Sequence, residues 1–214
     1  AKVPEQARLD IFERVNGGVP LTRQQMRNCL YMGPGTRFLK DEALTEIFLN
    51  ATGNSLKSST MRDREFVNRF CAFRLIPLEE YRNDMDDFLA RGLKKLNSFD
   101  QDALQRLSMS FRTTLANNFK VFGRHAFRKS IENQGNRGIL NASLWDVMST
   151  GLSHYAEHIV EANVDKLKEA FSHLLADDDF IRAITYGPND MKKVRYRFNA
   201  VNMMLKEVFG AYPD

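Results

Sequence analysis

The chain has little of several things. It carries two cysteines, one tryptophan, four histidines and six prolines in 214 residues. Cys29 and Cys71 each fall inside an apolar helical pattern, and two lone thiols make neither a disulfide framework nor a metal-ligand spacing. A reducing cytoplasm is therefore the expected compartment. No run approaches the roughly 20 apolar residues that span a bilayer, so no membrane partner is expected. The opening "AKVPEQARLD" has no apolar segment of the kind a secretory leader needs. Large charge imbalance is also missing. With 31 basic and 27 acidic residues the formal net charge is +4. That surplus permits contact with nucleic acid without requiring it, because such binding depends on clustering.

Period-two alternation is the next absence. No segment sustains it long enough to predict a strand. Helical spacing appears almost everywhere instead. Leu9, Phe12 and Val15 share one face of a short first helix, which Asn16-Gly17-Gly18 ends. Thr22 and Gln25 form a capping box for a helix reaching about Met32. Phe66, Phe70 and Phe73 recur at four-three spacing between Thr60 and Ile76, where Pro77 stops the run. Asp100 opens a long helix with Leu104, Leu107, Phe111, Leu115 and Phe122 inward, and Gly123 closes it. Asn141 or Ser143 caps the helix of Trp145. The last helix runs from about Asp190 to Phe209 on Val194, Phe198, Val201, Leu205 and Val208. "ENQGNRG", 132–138, reads as the loosest stretch. The periodicity predicts one all-α domain over 1–214, a multi-helix bundle of roughly eight to ten helices. Sixteen phenylalanines must fill its core or face a partner.

The residues suggest no reaction. His154 and His158 stand at i and i+4, where one helix face could hold a metal, but Glu157 precedes the second histidine instead of following the first. A solvated face is the simpler reading. His125 reads as a cap or core-edge residue. Asp84, Asp86 and Asp87 supply negative charge to a helix start. Arg62, Arg64, Arg69 and Arg74 are interleaved with Asp63 and Glu65, which favours pairing within the chain. Lys192, Lys193, Arg195 and Arg197 crowd the last helix opposite its apolar stripe, as phosphate contacts would or as an ordinary solvated face would. No phosphate-binding glycine loop or nucleophile elbow is present.

One stretch is more specific. "IFERVNGGVPLTRQQMRN", from Ile11 to Asn28, resembles the I-F-x-R-x-N-x-G-G-x-x-L-x-x-Q-E-x-R-N segment of the bacterial family typified by the nucleotide-hydrolysing half of GmrSD restriction enzymes. The loop before the glycines is one residue shorter here, and Gln25 replaces the usual Glu. Further matches follow in order. "RFCAF" resembles R-F-x-A-F, "FGRHAFR" resembles F-G-x-x-A-F-R, and "ILNASLWD" resembles I-N-x-A-L-F-D. "YGPNDMKKVRYRF" resembles G-T-N-x-x-x-x-V-x-x-R-F, with Pro188 for Thr. The family places its D-G-Q-Q-R hydrolytic motif on an N-terminal ParB/sulfiredoxin-like domain upstream of this segment, and no such motif occurs here.

The resemblance therefore implies the helical C-terminal portion of a longer restriction or antiviral defence protein, with Ala1 expected to follow a domain boundary, a proteolytic cut or a truncated reading frame. Residues 1–28 would form the seam to the missing N-terminal domain, which is the implied partner. Arg14, Asn16, Gln24, Arg27 and Asn28 would line that seam, or alternatively only make the turn and tie the helices together. DNA is the second implied partner, met by Lys192, Lys193, Arg195 and Arg197. No catalytic residue, metal ligand or cofactor is expected in this chain, while a nucleotide and a divalent metal would belong to the parent. Two other classes remain open: a non-catalytic protein-interaction module, and a standalone enzyme built on His125 or the His154/His158 pair.

Overall fold

A computed structural model describes residues 21–130 and 137–210. The expected first helix, its glycine stop, Arg14 and Asn16 lie outside the described residues. So do 132–136 of the "ENQGNRG" stretch.

Helical periodicity predicts the architecture correctly. The described residues form eleven α-helices and no strand. In order these are α1 (Arg23–Leu30), α2 (Pro34–Ala43), α3 (Glu46–Thr52), α4 (Arg62–Leu75), α5 (Met85–Asn97) and α6 (Gln101–Phe122). There follow α7 (Ala142–Leu152), α8 (Glu157–Glu161), α9 (Val164–Ala176), α10 (Asp178–Thr185) and α11 (Met191–Phe209).

Local chemistry explains most of the boundaries. Thr22 and Gln25 form the reciprocal capping box, with Gln25 N to Thr22 Oγ1 at 3.2 Å and Thr22 N to Gln25 Oε1 at 2.7 Å. Asp84, Asp100, Asn141, Asp177 and Asp190 cap α5, α6, α7, α10 and α11 through their side-chain oxygens. Gly123 ends α6 at φ +51°, a left-handed conformation. The acidic run at Asp84, Asp86 and Asp87 is thus a cap and first turn, as its position predicts.

Most of the described phenylalanines turn inward, while Phe119 on α6 is exposed. Trp145 is fully buried on α7, with the rings of Phe127, Phe66, Phe48 and Phe111 at 4.5, 5.2, 5.9 and 6.1 Å. Its Nε1 donates to the Phe66 carbonyl at 2.8 Å, which removes the cost of burying the indole N–H. A second aromatic group joins Phe73 to Phe88 and Phe198, both at 4.8 Å, and to Tyr81. α4 lies between these groups and is buried continuously from Phe66 to Phe73, with Asn68 and Arg69 among the buried side chains. It meets α5 at close range: a Cβ on Gly92 would stand 2.7 Å from Ala72 Cβ.

Two details differ from the sequence expectation. Cys71 is buried, and burial lifts its thiol pKa, but Cys29 points outward from α1. His154 and His158 do not share a helix. α7 ends at Leu152 and α8 begins at Glu157, because the intervening turn is pinned by buried Tyr155 against the Phe209 ring at 4.5 Å.

Candidate functional site

The short α1 carries the described part of the expected seam. Gln24, Arg27 and Asn28 occupy one face of it and all three are buried. Arg27 donates through Nη1 to Asp86 Oδ1 at 2.6 Å, and its Nε and Nη2 share Gln24 Oε1 at 3.2 and 3.0 Å. Gln24 in turn donates to Asn28 Oδ1 at 3.0 Å, and Asn28 reaches Met61 Sδ. Burial pushes the Arg27 pKa down, while the Asp86 bond and charge oppose that shift. Asp86 sits on α5, so this network ties α1 to α5. Arg27 already has its carboxylate inside the chain.

The four cations expected on the last helix do not stay together. Lys192 and Arg195 are exposed, Lys193 is half-buried, and Arg197 is fully buried. Lys193 Nζ bonds the Tyr186 carbonyl, and Arg195 Nη2 lies 3.4 Å from the Glu79 carbonyl. No carboxylate pairs with Lys192, Lys193 or Arg195 among the described residues. Beyond Arg195 the surface turns acidic: burial together with Asp177 and Asp179 raises the Tyr196 phenol pKa.

Arg197 is a correction to the sequence reading. It sits one helical turn from Val194 and Val201, on the inward stripe, and cannot meet a phosphate at the surface. Its Nη2 donates to Asp146 Oδ2 at 2.9 Å, and its Nη1 bonds the Pro188 carbonyl. The same Asp146 takes Arg69 in a fork, Nε to Oδ1 and Nη2 to Oδ2, both at 2.7 Å. Glu65 lies 3.7 Å from Arg69 Nη1 and adds a second negative charge. The result is a buried Arg69–Asp146–Arg197 triad that joins α4, α7 and α11. Arg69 and Arg62 do pair within the chain, as the interleaved acids predict, the latter with Glu65 at 3.5 Å.

The histidines have structural surroundings. His125 is buried, its Nδ1 2.9 Å from Ser130 Oγ and its Nε2 receiving Arg124 Nε at 3.3 Å. Burial and the Arg74 charge lower the His154 pKa. No group of three metal-ligating side chains forms among the described residues.

The sequence reading missed one basic site altogether. Lys57, Arg62 and Arg137 line a cleft behind which Arg128 is buried. These residues are spread over 80 positions of chain, and only the fold brings them together. The single sequence signal was one basic residue near a glycine in each of two polar loops, Lys57 in "TGNSLKSST" and Arg137 in "GNRG". No family model, no curated protein and no solved structure matches this chain.

Proposed function

We propose that this chain is the helical module of a GmrSD-like restriction or antiviral defence protein. In this reading it assists DNA recognition through phosphate contacts, or couples that recognition to nucleotide hydrolysis on an N-terminal domain. The observation that carries the DNA contact is the start of α11. Lys192, Lys193 and Arg195 project from its first two turns, at the positive end of the helix dipole, where cations are disfavoured. Asp190 at the cap offsets only part of that charge. Among the described residues these three cations have no carboxylate partner, and Lys193 and Arg195 meet only neutral carbonyls, so an external polyanion would complement them.

The family part of the reading draws support from the triad. Arg69 comes from the segment resembling R-F-x-A-F, Asp146 from the one resembling I-N-x-A-L-F-D, and Arg197 from the one resembling V-x-x-R-F. Three separate motif matches thus supply one residue each to a single buried contact. Motifs that fold together in this way are better explained as one inherited framework than as three chance matches.

The test is duplex-DNA binding by fluorescence anisotropy between about 50 and about 200 mM salt. Affinity should fall steeply, and changing Lys192, Lys193 and Arg195 together to alanine should reduce the salt slope by roughly two to three. The chain alone should show neither nuclease nor nucleotidase activity. Absent DNA binding at low salt, or an unchanged slope, would overturn the DNA reading.

A protein-interaction module is the alternative, favoured by a different surface. A cleft of about 550 Å³ runs between α9 and α11, floored by Ala170, Leu174 and Met204 and edged by exposed Met203 and Tyr196. The buried phenylalanines contribute nothing to it. This second reading takes over if the chain has no DNA affinity at low salt.

A further inference from the structure

The cleft lined by Lys57, Arg62 and Arg137 has an unusual charge balance. It measures about 490 Å³ and lies between the loop after α3, the first turn of α4 and residues 137–140. Its lining includes three cations and no Asp or Glu. Leu56, Phe66 and Leu140 form an apolar wall beside them.

Behind the cleft stands Arg128, 1% exposed. Its Nε donates to the Gly138 carbonyl at 2.9 Å, and its Nη1 to the Ala126 carbonyl at 2.7 Å. Its Nη2 reaches the Thr52 carbonyl at 2.7 Å and Ser55 Oγ at 3.1 Å. Every one of these partners is neutral. Burial and the neighbouring Arg137 charge push the Arg128 pKa down to about 10. A guanidinium whose folded pKa lies below its unfolded value destabilises the fold while it is protonated, which here covers neutral pH.

Arg137 crowds the same point. Its Nη2 lies 3.3 Å from Ser55 Oγ, the hydroxyl that Arg128 also reaches. Gly53 permits the approach. A Cβ there would stand 2.2 Å from Arg137 Nη1 and 3.4 Å from Arg128 Nη2, and its φ of +63° suits glycine independently. Ser55 Oγ donates to the Gly53 carbonyl at 3.3 Å, so both guanidinium groups meet its acceptor side. Arg62 completes the rim, its guanidinium carbon 5.2 Å over the Phe66 ring. Among the described residues the one carboxylate that reaches any of these four cations is Glu65, 3.5 Å from Arg62, and Glu65 also serves Arg69.

Two guanidinium groups held on one hydroxyl without an anion between them repel each other. The fold spends local geometry, at Gly53 and Ser55, on bringing them together. From this we infer that the cleft is a phosphate-binding site for a phosphomonoester, whose dianion sits between Arg137, Lys57 and Arg62 and whose organic part lies on the Leu56–Phe66–Leu140 wall. The planar forks of arginine match pairs of phosphate oxygens, and the double charge of a monoester answers the cation count better than a single carboxylate does. The volume exceeds that of bare phosphate and suits a nucleotide-sized molecule. Such a group can come from a free nucleotide or from the phosphorylated end of a nucleic-acid strand. This site is separate from the α11 cations and does not depend on them.

The experiment is calorimetric titration of the whole chain with inorganic phosphate, adenosine 5′-monophosphate, adenosine and acetate. A matched pair of single-stranded oligonucleotides, with 5′-phosphate and with 5′-hydroxyl, completes the set. Phosphate and the monophosphate should bind, and adenosine and acetate should not. Arg137→Gln should weaken monophosphate binding at least tenfold, and Lys57→Gln several-fold. Both side chains lie at the rim, so the thermal unfolding curve of each variant checks that the fold survives. Changing Lys192, Lys193 and Arg195 to alanine should leave monophosphate binding unchanged while reducing affinity for duplex DNA, which separates this inference from the DNA reading. Tighter binding of the 5′-phosphate strand than of its 5′-hydroxyl twin assigns the ligand to a strand end. Equal binding of the two, with the monophosphate still bound, assigns it to a free nucleotide. No binding of phosphate or monophosphate at millimolar concentration would overturn the inference, and so would equal binding by the wild type and the Lys57→Gln/Arg137→Gln double variant.

Discussion

Replacing Asp146 by asparagine should unfold this protein more readily than any other isosteric change to a single atom group. Asp146 is fully buried and, among the described residues, is the only carboxylate within bonding distance of both Arg69 and Arg197. Asparagine keeps the size and one acceptor oxygen. It turns the other oxygen into an NH₂ group that faces arginine donors at 2.7 to 2.9 Å. Among the described residues Arg69 would then keep only Glu65, which is 3.7 Å away and partly in water, and Arg197 would have no carboxylate partner. Removing one partner of a buried ion pair costs about 3–5 kcal/mol. Domains of ordinary stability have about 5–15 kcal/mol in total, so the loss is a large fraction of it.

Urea unfolding followed by tryptophan fluorescence is the assay. The single Trp145 is adjacent to Asp146 in sequence, fully buried, and bonded to the Phe66 carbonyl. It therefore reports on the same joint. The midpoint should fall by an amount equivalent to about 3–5 kcal/mol with the slope unchanged. A loss under about 1 kcal/mol, the range of an exposed pair, would refute the claim that the triad is a desolvated charge cluster. The two arginines should also differ. Burial lowers the pKa of Arg197. For Arg69 the Asp146 charge and hydrogen bonds, with help from Glu65, overcome burial and raise it. Arg69 is thus the better-matched partner, and Arg197 Nε has no hydrogen-bond partner. Arg69→Met should cost more than Arg197→Met, which leaves the Arg69–Asp146 fork intact.

Two further outcomes test the packing and the pH response. Gly92→Ala should lower the urea midpoint, although alanine is favoured over glycine in a helix by about 1 kcal/mol; the new Cβ would lie 2.7 Å from Ala72 Cβ and 2.9 Å from Ala72 Cα, and overpacking of this kind costs about 1–3 kcal/mol. A rise in midpoint would mean that α4 and α5 separate freely. Tyr81 donates its hydroxyl to the Asn189 carbonyl, and burial pushes its pKa up from 10.0 to about 12. A raised folded pKa means that the unfolded chain loses this proton first, so the Tyr81 contribution is intact below pH 10.0 and is lost as pH rises toward about 12. Thermal unfolding across that window should show a drop that Tyr81→Phe reduces.

What the sequence disclosed and what it hid divide along the range of the contacts. Thr22, Asp100, Asn141 and Asp190 were legible as caps because each bonds a backbone N–H two or three residues on. The inward stripe of α11 was legible because one helix period determines it. Arg197 shows the limit of that method. It looked like a fourth surface cation beside Lys192, Lys193 and Arg195, yet it lies on the Val194 and Val201 side, and its partner is 51 residues away. Arg69 was expected to pair locally, and it does reach Glu65, but its main partner is 77 residues distant. The His154/His158 spacing failed for a related reason, since a buried tyrosine between them imposed a turn. Lys57, Arg62, Arg128 and Arg137 came from segments that carried no shared pattern.

This division bears on where function should be sought. Arg69, Arg128, Asp146 and Arg197 stand at the fixed charged positions of the four later motif resemblances, R-F-x-A-F, F-G-x-x-A-F-R, I-N-x-A-L-F-D and V-x-x-R-F, and all four are buried and bonded within the chain. They hold helices and loops together. A residue in that position tolerates little change whatever the protein binds, so its presence in a motif speaks for a shared framework and not for a shared ligand. The residues able to meet a partner are the ones outside those roles: Lys57, Arg62 and Arg137 at the cleft, and Lys192, Lys193 and Arg195 on α11. Related chains with different ligands would be expected to keep the first set and vary the second. Exchanging cations at these six positions, with the triad intact, should therefore alter anion binding without lowering the unfolding midpoint.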